Sequence, residues 1–253
     1  MTDFYDRHLR FKSVTNLRDI GGYTGLDGKT VAWRRVFRSG EFRRITPDDL
    51  KRLTNELSMK CIVDLRSESE LANNGKGLLE QTNIKYRNIA FMPEDGDPEA
   101  NAKRYEKMTS MGEFYVELVR QKNYGQKIIE ALELIAEPGN YPLIFHCAVG
   151  KDRTGMLAAM LLHLLGVSDA DIITDYALSE PYMDELLVKF KAAPRKDDKP
   201  PPNIPDFFWK APPDSMKMLL AMLRREYGSV EGYLKEMGMT ASMPKQLQKG
   251  LLK

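Results

Sequence analysis

The sequence predicts an α/β protein, with a central, mostly parallel sheet flanked by helices and a helical C-terminal part. Three observations predict it. Short β-rich runs alternate with helical stretches up to the apolar run Tyr141 to Phe145. That run is fenced by Pro138-Gly139, enters a tight loop and continues into a strong helix former, Met156 to Leu165. Beyond it the chain reads as almost all helix. Strands alternating with helices build a parallel sheet with helices laid on its faces.

The elements follow in order. Asn16 to Tyr23 is a polar turn with two glycines. Thr30 to Arg38 is rich in β-formers and reads as a strand broken by Ser39-Gly40. Thr46 is an N-cap, with Pro47 at the first helical position and Asp48 and Asp49 in the first turn. That helix is expected to run to about Met59. Lys60 to Leu65 and Ile84 to Phe91 read as the second and third strands, with a short helix over Ser67 to Ala72. Asn73 to Gly77 and Pro93 to Pro98 are loops, the latter acidic through Glu94, Asp95 and Asp97. Helical stretches at about 99–120 and 124–136 precede the strand into the loop.

After the loop, Met156 to Leu165 is apolar on all sides and so is expected to be buried. Asp169 to Leu178 and Pro181 to Ala193 read as helices. Pro194 to Pro205 holds five prolines and cannot be regular structure. Phe207-Phe208-Trp209 follows at once, and three helices near 213–227, 230–237 and 243–252 end the chain.

A chain of 253 residues suits one large domain or a domain with an appended helical part. Hydrophobic residues at 42% and charged residues at 29% are those of an ordinary globular protein. A net charge of +2 gives no footprint for nucleic acid. Two cysteines, Cys61 and Cys147, provide no disulfide framework. The longest apolar run, Met156 to Val167, is too short to span a bilayer and contains His163, so no stable membrane insertion is expected. Met1 to Arg10 alternates acids and bases without an apolar core, which points to a cytoplasmic protein, with secretion without a signal peptide as the alternative. No metal-ligand cluster of His, Cys and carboxylates is visible, and no cofactor is expected. The oligomeric state is left open.

The chemistry concentrates in Phe145-His146-Cys147-Ala148-Val149-Gly150-Lys151-Asp152-Arg153-Thr154-Gly155. A strand, a tight loop and a helix start gather backbone N–H groups around one point. Those groups lack intrahelical partners and sit at the positive end of the helix dipole, so they bind an anion. The N–H groups of Ala148, Val149, Gly150 and Lys151 are the candidates, with Thr154 and Gly155 behind them. Cys147 at the edge is the candidate nucleophile, because a helix start and a guanidinium both stabilise its thiolate. Arg153 can hold two phosphate oxygens with its planar fork. Together they fit phosphoryl transfer through a phosphocysteine.

Thr154 can donate its hydroxyl to the leaving sulfur, or serve as an ordinary helix-start hydroxyl. His146 is expected to orient the loop rather than act as a base. A general acid must protonate the leaving oxygen. Asp152 is the first choice, with a bracing role beside Arg153 as its competitor, and Asp95 and Asp97 are the alternatives. Lys151 is read as a cation at the rim, facing a second phosphate of a substrate such as a multiply phosphorylated inositol. A solvated side chain is its plain alternative. Arg34, Arg35, Arg43 and Arg44 cluster in sequence near a second wall of the site.

The stretch His146 to Gly155 resembles the Cys-x5-Arg signature loop of the protein tyrosine phosphatase superfamily. It is most similar to the atypical bacterial tyrosine phosphatases with lipid phosphatase activity, through Gly150-Lys151-Asp152-Arg153-Thr154-Gly155. Further likenesses lie at Asn16-Leu17-Arg18-Asp19, Phe37-Arg38-Ser39-Gly40-Glu41, Val63-Asp64-Leu65-Arg66-Ser67, Asp175-Tyr176 with Ser179, and Tyr227-Gly228-Ser229 with Gly232-Tyr233-Leu234. The resemblance runs from about Asn16 onward. It implies the phosphatase fold over a single domain, 1–253, and metal-free hydrolysis with Cys147 as phosphocysteine and Arg153 as clamp. It also implies phosphorylated protein or phosphoinositide substrates. The family carries an aspartate after the third strand, where Pro93-Glu94-Asp95 stands here.

Asp64, Arg66, Arg18 and Asp19 are expected to brace the loop through buried ion pairs. The region at about 181–212, with Phe207-Phe208-Trp209, reads as a helical lid or as a surface loop with an aromatic anchor. The rival functions are a phosphate-binding pseudophosphatase and an arsenate reductase or rhodanese-type cysteine enzyme. The first has no missing residue to recommend it, and the second needs another chain order or a resolving thiol.

Overall fold

The computed structural model describes residues 7–92, 108–192 and 205–253. Asp95 and Asp97 lie outside the described residues, as does nearly all of the proline-rich segment. Among the described residues, five strands form one sheet: β1 (Arg18–Asp19), β2 (Val36–Ser39), β3 (Cys61–Asp64), β4 (Lys85–Asn88) and β5 (Leu143–His146), in the order β1-β2-β5-β3-β4. β2, β5, β3 and β4 are mutually parallel, and only β1 pairs antiparallel. β2, β3 and β5 are buried along their whole length, and each opens on apolar residues and ends on polar ones, Arg38-Ser39, Asp64 and His146, at the same sheet edge.

Two cores sandwich the sheet. Phe37, Ile62 and Ile144 face a smaller cluster with Leu53, Leu57, Met59 and Leu79. Val36, Val63, Leu143 and Phe145 face a larger one. The alternation along each strand assigns the faces. The larger core is roofed by α3 (Met111–Val119), α4 (Lys122–Ala136) and α5 (Asp152–Leu164), with α6 (Asp169–Ala177), α8 (Pro213–Tyr227), α9 (Val230–Glu236) and α10 (Met243–Leu251) beyond. α5 is buried on nearly every side, as its apolar sequence requires. Between α6 and α8 lies α7 (Glu180–Ala192). No helix among the described residues is long and apolar enough to cross a membrane.

Some local expectations change. The strand expected over Thr30 to Arg38 shrinks to Val36–Ser39, because the chain turns at Trp33-Arg34 with Arg34 at φ 61. Asp19 holds that turn: its carboxylate accepts the Arg34 and Gly21 N–H groups, each at 2.7 Å. Asp19 therefore braces the β1–β2 connection and not the loop after β5. The helix after Thr46 is regular only over α1 (Pro47–Lys51) and continues as a wider π-type turn to Glu56. Of the helical stretch expected near 99–120, the part before residue 108 lies outside the described residues, and α3 covers the described part from an N-cap at Ser110.

The parallel strands bring three sequence-distant segments to one sheet edge. Ser39 and Asp64 both pair with His146. The residues that follow, Gly40, Leu65 and Cys147, therefore open side by side at the C-terminal strand ends, where open α/β sheets place their sites.

Candidate active site

The loop from Cys147 to Lys151 joins β5 to α5 and wraps around the Cys147 sulfur. Its carbonyls are taken from outside, one after another. His146 Nδ1 contacts the Cys147 carbonyl at 3.1 Å, and the Glu41 N–H donates to that of Ala148 at 3.1 Å. Asn16 Nδ2 donates to the Val149 carbonyl at 3.2 Å, and Arg38 Nη2 to that of Gly150 at 2.9 Å. A trans peptide is planar, so its N–H points opposite to its C=O. Carbonyls held outward turn the N–H groups of Ala148, Val149, Gly150 and Lys151 inward. The Gly150 N–H meets Cys147 Sγ at 3.3 Å. The outer partners thus fix which way the loop's peptide groups face.

Gly150 is the residue the turn cannot replace. Its φ is +77°, and a Cβ there would stand 2.5 Å from the Ser39 backbone. Cys147 itself is only 2% exposed, at the floor of the loop.

Arg153 emerges from the first turn of α5, 9% exposed. Glu70 of α2 (Glu68–Asn74) grips its fork with both oxygens, at 2.5 and 2.8 Å. Glu70 also closes a capping box with Ser67, accepting the Ser67 N–H at 2.8 Å. Burial pushes the Glu70 carboxyl up, but Arg153 and the cap outweigh it and hold it below the usual range. Thr154 Oγ1 is buried with no hydrogen-bond partner among the described residues.

Two of the expected roles move. Asp152 does not brace Arg153: its described partners are Tyr115, whose hydroxyl donates to Oδ1, and Lys151 Nζ at 3.6 Å. Lys151 does not stand at the rim as a substrate-facing cation, and it is not solvated either. Its side chain is 1% exposed, and Nζ donates to the Phe208 carbonyl and, at 3.0 Å, to that of Lys210. The 3-10 turn Asp206–Trp209 offers the first of these carbonyls and the residue that ends it the second, and burial lowers the lysine's tendency to hold its proton. The arginine cluster also splits. Arg34 and Arg35 precede β2, at the far sheet end, where Arg35 stacks over Tyr141; Arg43 and Arg44 follow it, on the site side.

A buried charge network supports the loop from behind. Asp175 pairs with Arg18 at 3.2 Å and with Arg38, and Tyr23 donates to it at 3.2 Å. Burial raises the Asp175 carboxyl, but the two guanidiniums outweigh it and hold it well below the usual range. Burial and the neighbouring Arg18 charge press Arg38 down to about 10. On the other side, Arg66 joins Asp64 at 2.7 Å to Glu41 at 2.8 Å, and Glu41 supplies the N–H on Ala148. Arg18, Asp64 and Arg66 thus take the bracing positions expected of them. Arg38, Glu70 and Tyr115 went unnoticed as loop partners. A charged Arg38 inside an apolar strand was a legible signal, and the Ser67-x-x-Glu70 spacing was another. Nothing local marks Tyr115.

No group of three or more His, Cys, Asp and Glu side chains that could hold a metal ion occurs among the described residues.

The chain can be set against known proteins at this point. A model of the tyrosine phosphatase family matches residues 9–253. A tyrosine-protein phosphatase of Nostoc commune is 29% identical over 222 residues, which cover 83% of this chain and 72% of that protein. The triple specificity protein phosphatase PtpB of Mycobacterium tuberculosis is 26% identical over 254 residues, 86% of this chain and 91% of its own. Among solved structures, the catalytic core of the PP-IP phosphatase SIW14 from S. cerevisiae overlaps 57% of this chain and 70% of its own, at 22% identity and a TM-score of 0.37.

Proposed function

The chain belongs to the tyrosine phosphatase family, and on that premise we propose that it hydrolyses phosphomonoesters through a phosphocysteine on Cys147. The Cys147 thiolate attacks phosphorus, and the inward N–H groups of Ala148 to Lys151 hold the equatorial oxygens together with the Arg153 guanidinium, whose plane Glu70 sets from the other side. Asp152 gives a proton to the leaving oxygen. Water then attacks the phosphocysteine, and Thr154 donates its hydroxyl to the departing sulfur. The outward-held loop carbonyls, with the Gly150 N–H on Cys147 Sγ, are the single observation that carries this reading.

Phosphotyrosine is the first substrate class, since a sulfur at the floor of the loop suits a phosphate on a long aryl arm. Phosphoinositides are the second, on the strength of the loop's resemblance and of the triple specificity named for the mycobacterial relative. The lid reading of the region at about 181–212, of which residues 193–204 lie outside the described residues, is supported at its described end by the grip of Lys151 on Phe208 and Lys210. Two free cysteines suit work in a reducing cytoplasm.

Cys147→Ser tests the scheme. It should abolish turnover while phosphate still binds, and quenching the wild-type enzyme in mid-reaction should place phosphate on Cys147. A serine variant as active as the wild type would sink the mechanism. A panel of phosphotyrosine peptides, phosphoinositides and small phosphates, assayed without added metal, ranks the substrates.

A further inference from the structure

Asp152 sits beside a buried phenol chain that the loop's own chemistry does not require. Tyr115 of α3 places its hydroxyl 2.5 Å from Asp152 Oδ1 and 2.7 Å from the hydroxyl of Tyr176 on α6. The two rings meet edge to face, with centroids 5.9 Å apart. Tyr115 is 0% and Tyr176 1% exposed, whereas the Asp152 side chain is 21% exposed. A phenol has one proton to give. If Tyr115 gives its proton to the carboxylate, Tyr176 must give its own to the Tyr115 oxygen. The chain therefore runs one way, Tyr176 to Tyr115 to Asp152, and each donor strengthens the next. Burial, with the Asp152 charge beside them, pushes both phenols well above their ordinary range, so both remain donors at any working pH.

We propose that Tyr115 is the positioning residue of the general acid: it pins Asp152 Oδ1 and leaves Oδ2 to carry the proton that the leaving group takes. The inference rests on Asp152 being the acid in the function proposed above. Two phenylalanines would fill the same core without burying hydroxyls that need partners. The hydroxyls therefore call for a use, and the carboxylate at the end of their chain supplies one.

The step balances. The Cys147 sulfur forms a bond to phosphorus as the bond from phosphorus to the leaving oxygen breaks. That oxygen takes the proton from Asp152 Oδ2, and the resulting carboxylate keeps the Tyr115 hydrogen bond on Oδ1. When water attacks the phosphocysteine, its oxygen bonds to phosphorus as the sulfur–phosphorus bond breaks; Oδ2 takes the water's proton, Cys147 returns as the thiolate, inorganic phosphate leaves and the acid is restored. Fixing one carboxylate oxygen aims the other at one place, and near-attack geometry is where orientation alters rate.

Tyr115→Phe, Tyr176→Phe, Asp152→Asn and the double variant Tyr115→Phe/Asp152→Asn decide it. Each is assayed on a phosphotyrosine peptide, whose phenol leaves poorly, and on 4-nitrophenyl phosphate, whose phenol leaves without help. Asp152→Asn should slow the peptide far more than the nitrophenyl ester. Tyr115→Phe should lower kcat for the peptide by about 10-fold, a part of what a general acid supplies, with KM unchanged and the nitrophenyl ester nearly untouched. In the Asp152→Asn background the same change should do nothing further. Tyr176→Phe should show a weaker form of the same selectivity, and it carries the test if Tyr115→Phe does not fold.

Equal losses on both substrates, or losses that add in the double variant, would overturn the positioning role. An Asp152→Asn variant without leaving-group selectivity would instead remove Asp152 as the acid, and the Tyr115 role with it. The catalytic scheme on Cys147 would survive either result.

Discussion

Glu70 and Arg153 form a two-pronged pair, with both carboxylate oxygens on both terminal nitrogens of the guanidinium. The acid that caps the start of α2 also sets the plane of the Arg153 guanidinium. The two duties can be separated. Ser67→Ala removes the capping hydroxyl alone and should cost about 1 kcal/mol of stability with kcat/KM little changed. Glu70→Ala releases Arg153 and should lower kcat/KM by about 10- to 100-fold. Thermal unfolding and steady-state kinetics on the two variants check this, and similar kinetic losses in both would contradict it.

Gly150→Ala meets two obstacles at once. Its φ of +77° is strained for any residue with a Cβ, by about 1–3 kcal/mol. The new methyl would also press on the Ser39 backbone. The loop should open and its amides lose their focus. Inorganic phosphate binding, measured calorimetrically, should weaken together with turnover. Intact binding in the alanine variant would mean that the loop tolerates a different turn.

Asp175 makes stability depend on acid. Its folded-state carboxyl is held below its ordinary value by Arg18 and Arg38. Its contribution is therefore complete above the ordinary carboxylate value of about 4 and is lost as pH falls from there towards the depressed value. Asp175→Asn leaves two buried guanidiniums without a carboxylate and should cost about 3–5 kcal/mol at neutral pH. The same change should flatten the fall in stability below about pH 5. Urea unfolding across pH tests this, and parallel acid limbs in variant and wild type would assign the acid sensitivity elsewhere.

Lys151→Ala should act as the loss of an anchor. Without Nζ on the Phe208 and Lys210 carbonyls, the 206–210 segment should be cut faster in limited proteolysis. Losses in kcat/KM should be equal for a phosphotyrosine peptide and a phosphoinositide, and unaffected by salt. A phosphoinositide-specific, salt-sensitive loss would restore the lysine to the substrate.

Cys61 should not protect Cys147 from peroxide. It pairs in register with Leu143, four residues before Cys147, which places the two about 13 Å apart along the strand direction. A disulfide needs Cα atoms about 5.5 Å apart. Cys147 should advance to sulfenic acid and beyond. Mass spectrometry that finds an intramolecular bridge would refute this.

The sequence by itself determined the fold class, the run of helices after residue 152, and the pairing of Cys147 with Arg153 in one loop. Each of these is local. A fenced apolar run, a glycine turn and a helix start lie within a few residues of one another, so their pattern is written along the chain. Only the tertiary structure decided what holds that loop. Glu70 reaches Arg153 across 83 residues, Tyr115 reaches Asp152 across 37, and Arg38 reaches Gly150 across 112. Which charges meet depends on the strand order β1-β2-β5-β3-β4 and on which helices roof it. The direction of Lys151 depends on it too, because a buried ammonium turns to whatever carbonyls the packing brings within reach, and those of Phe208 and Lys210 come from far along the chain.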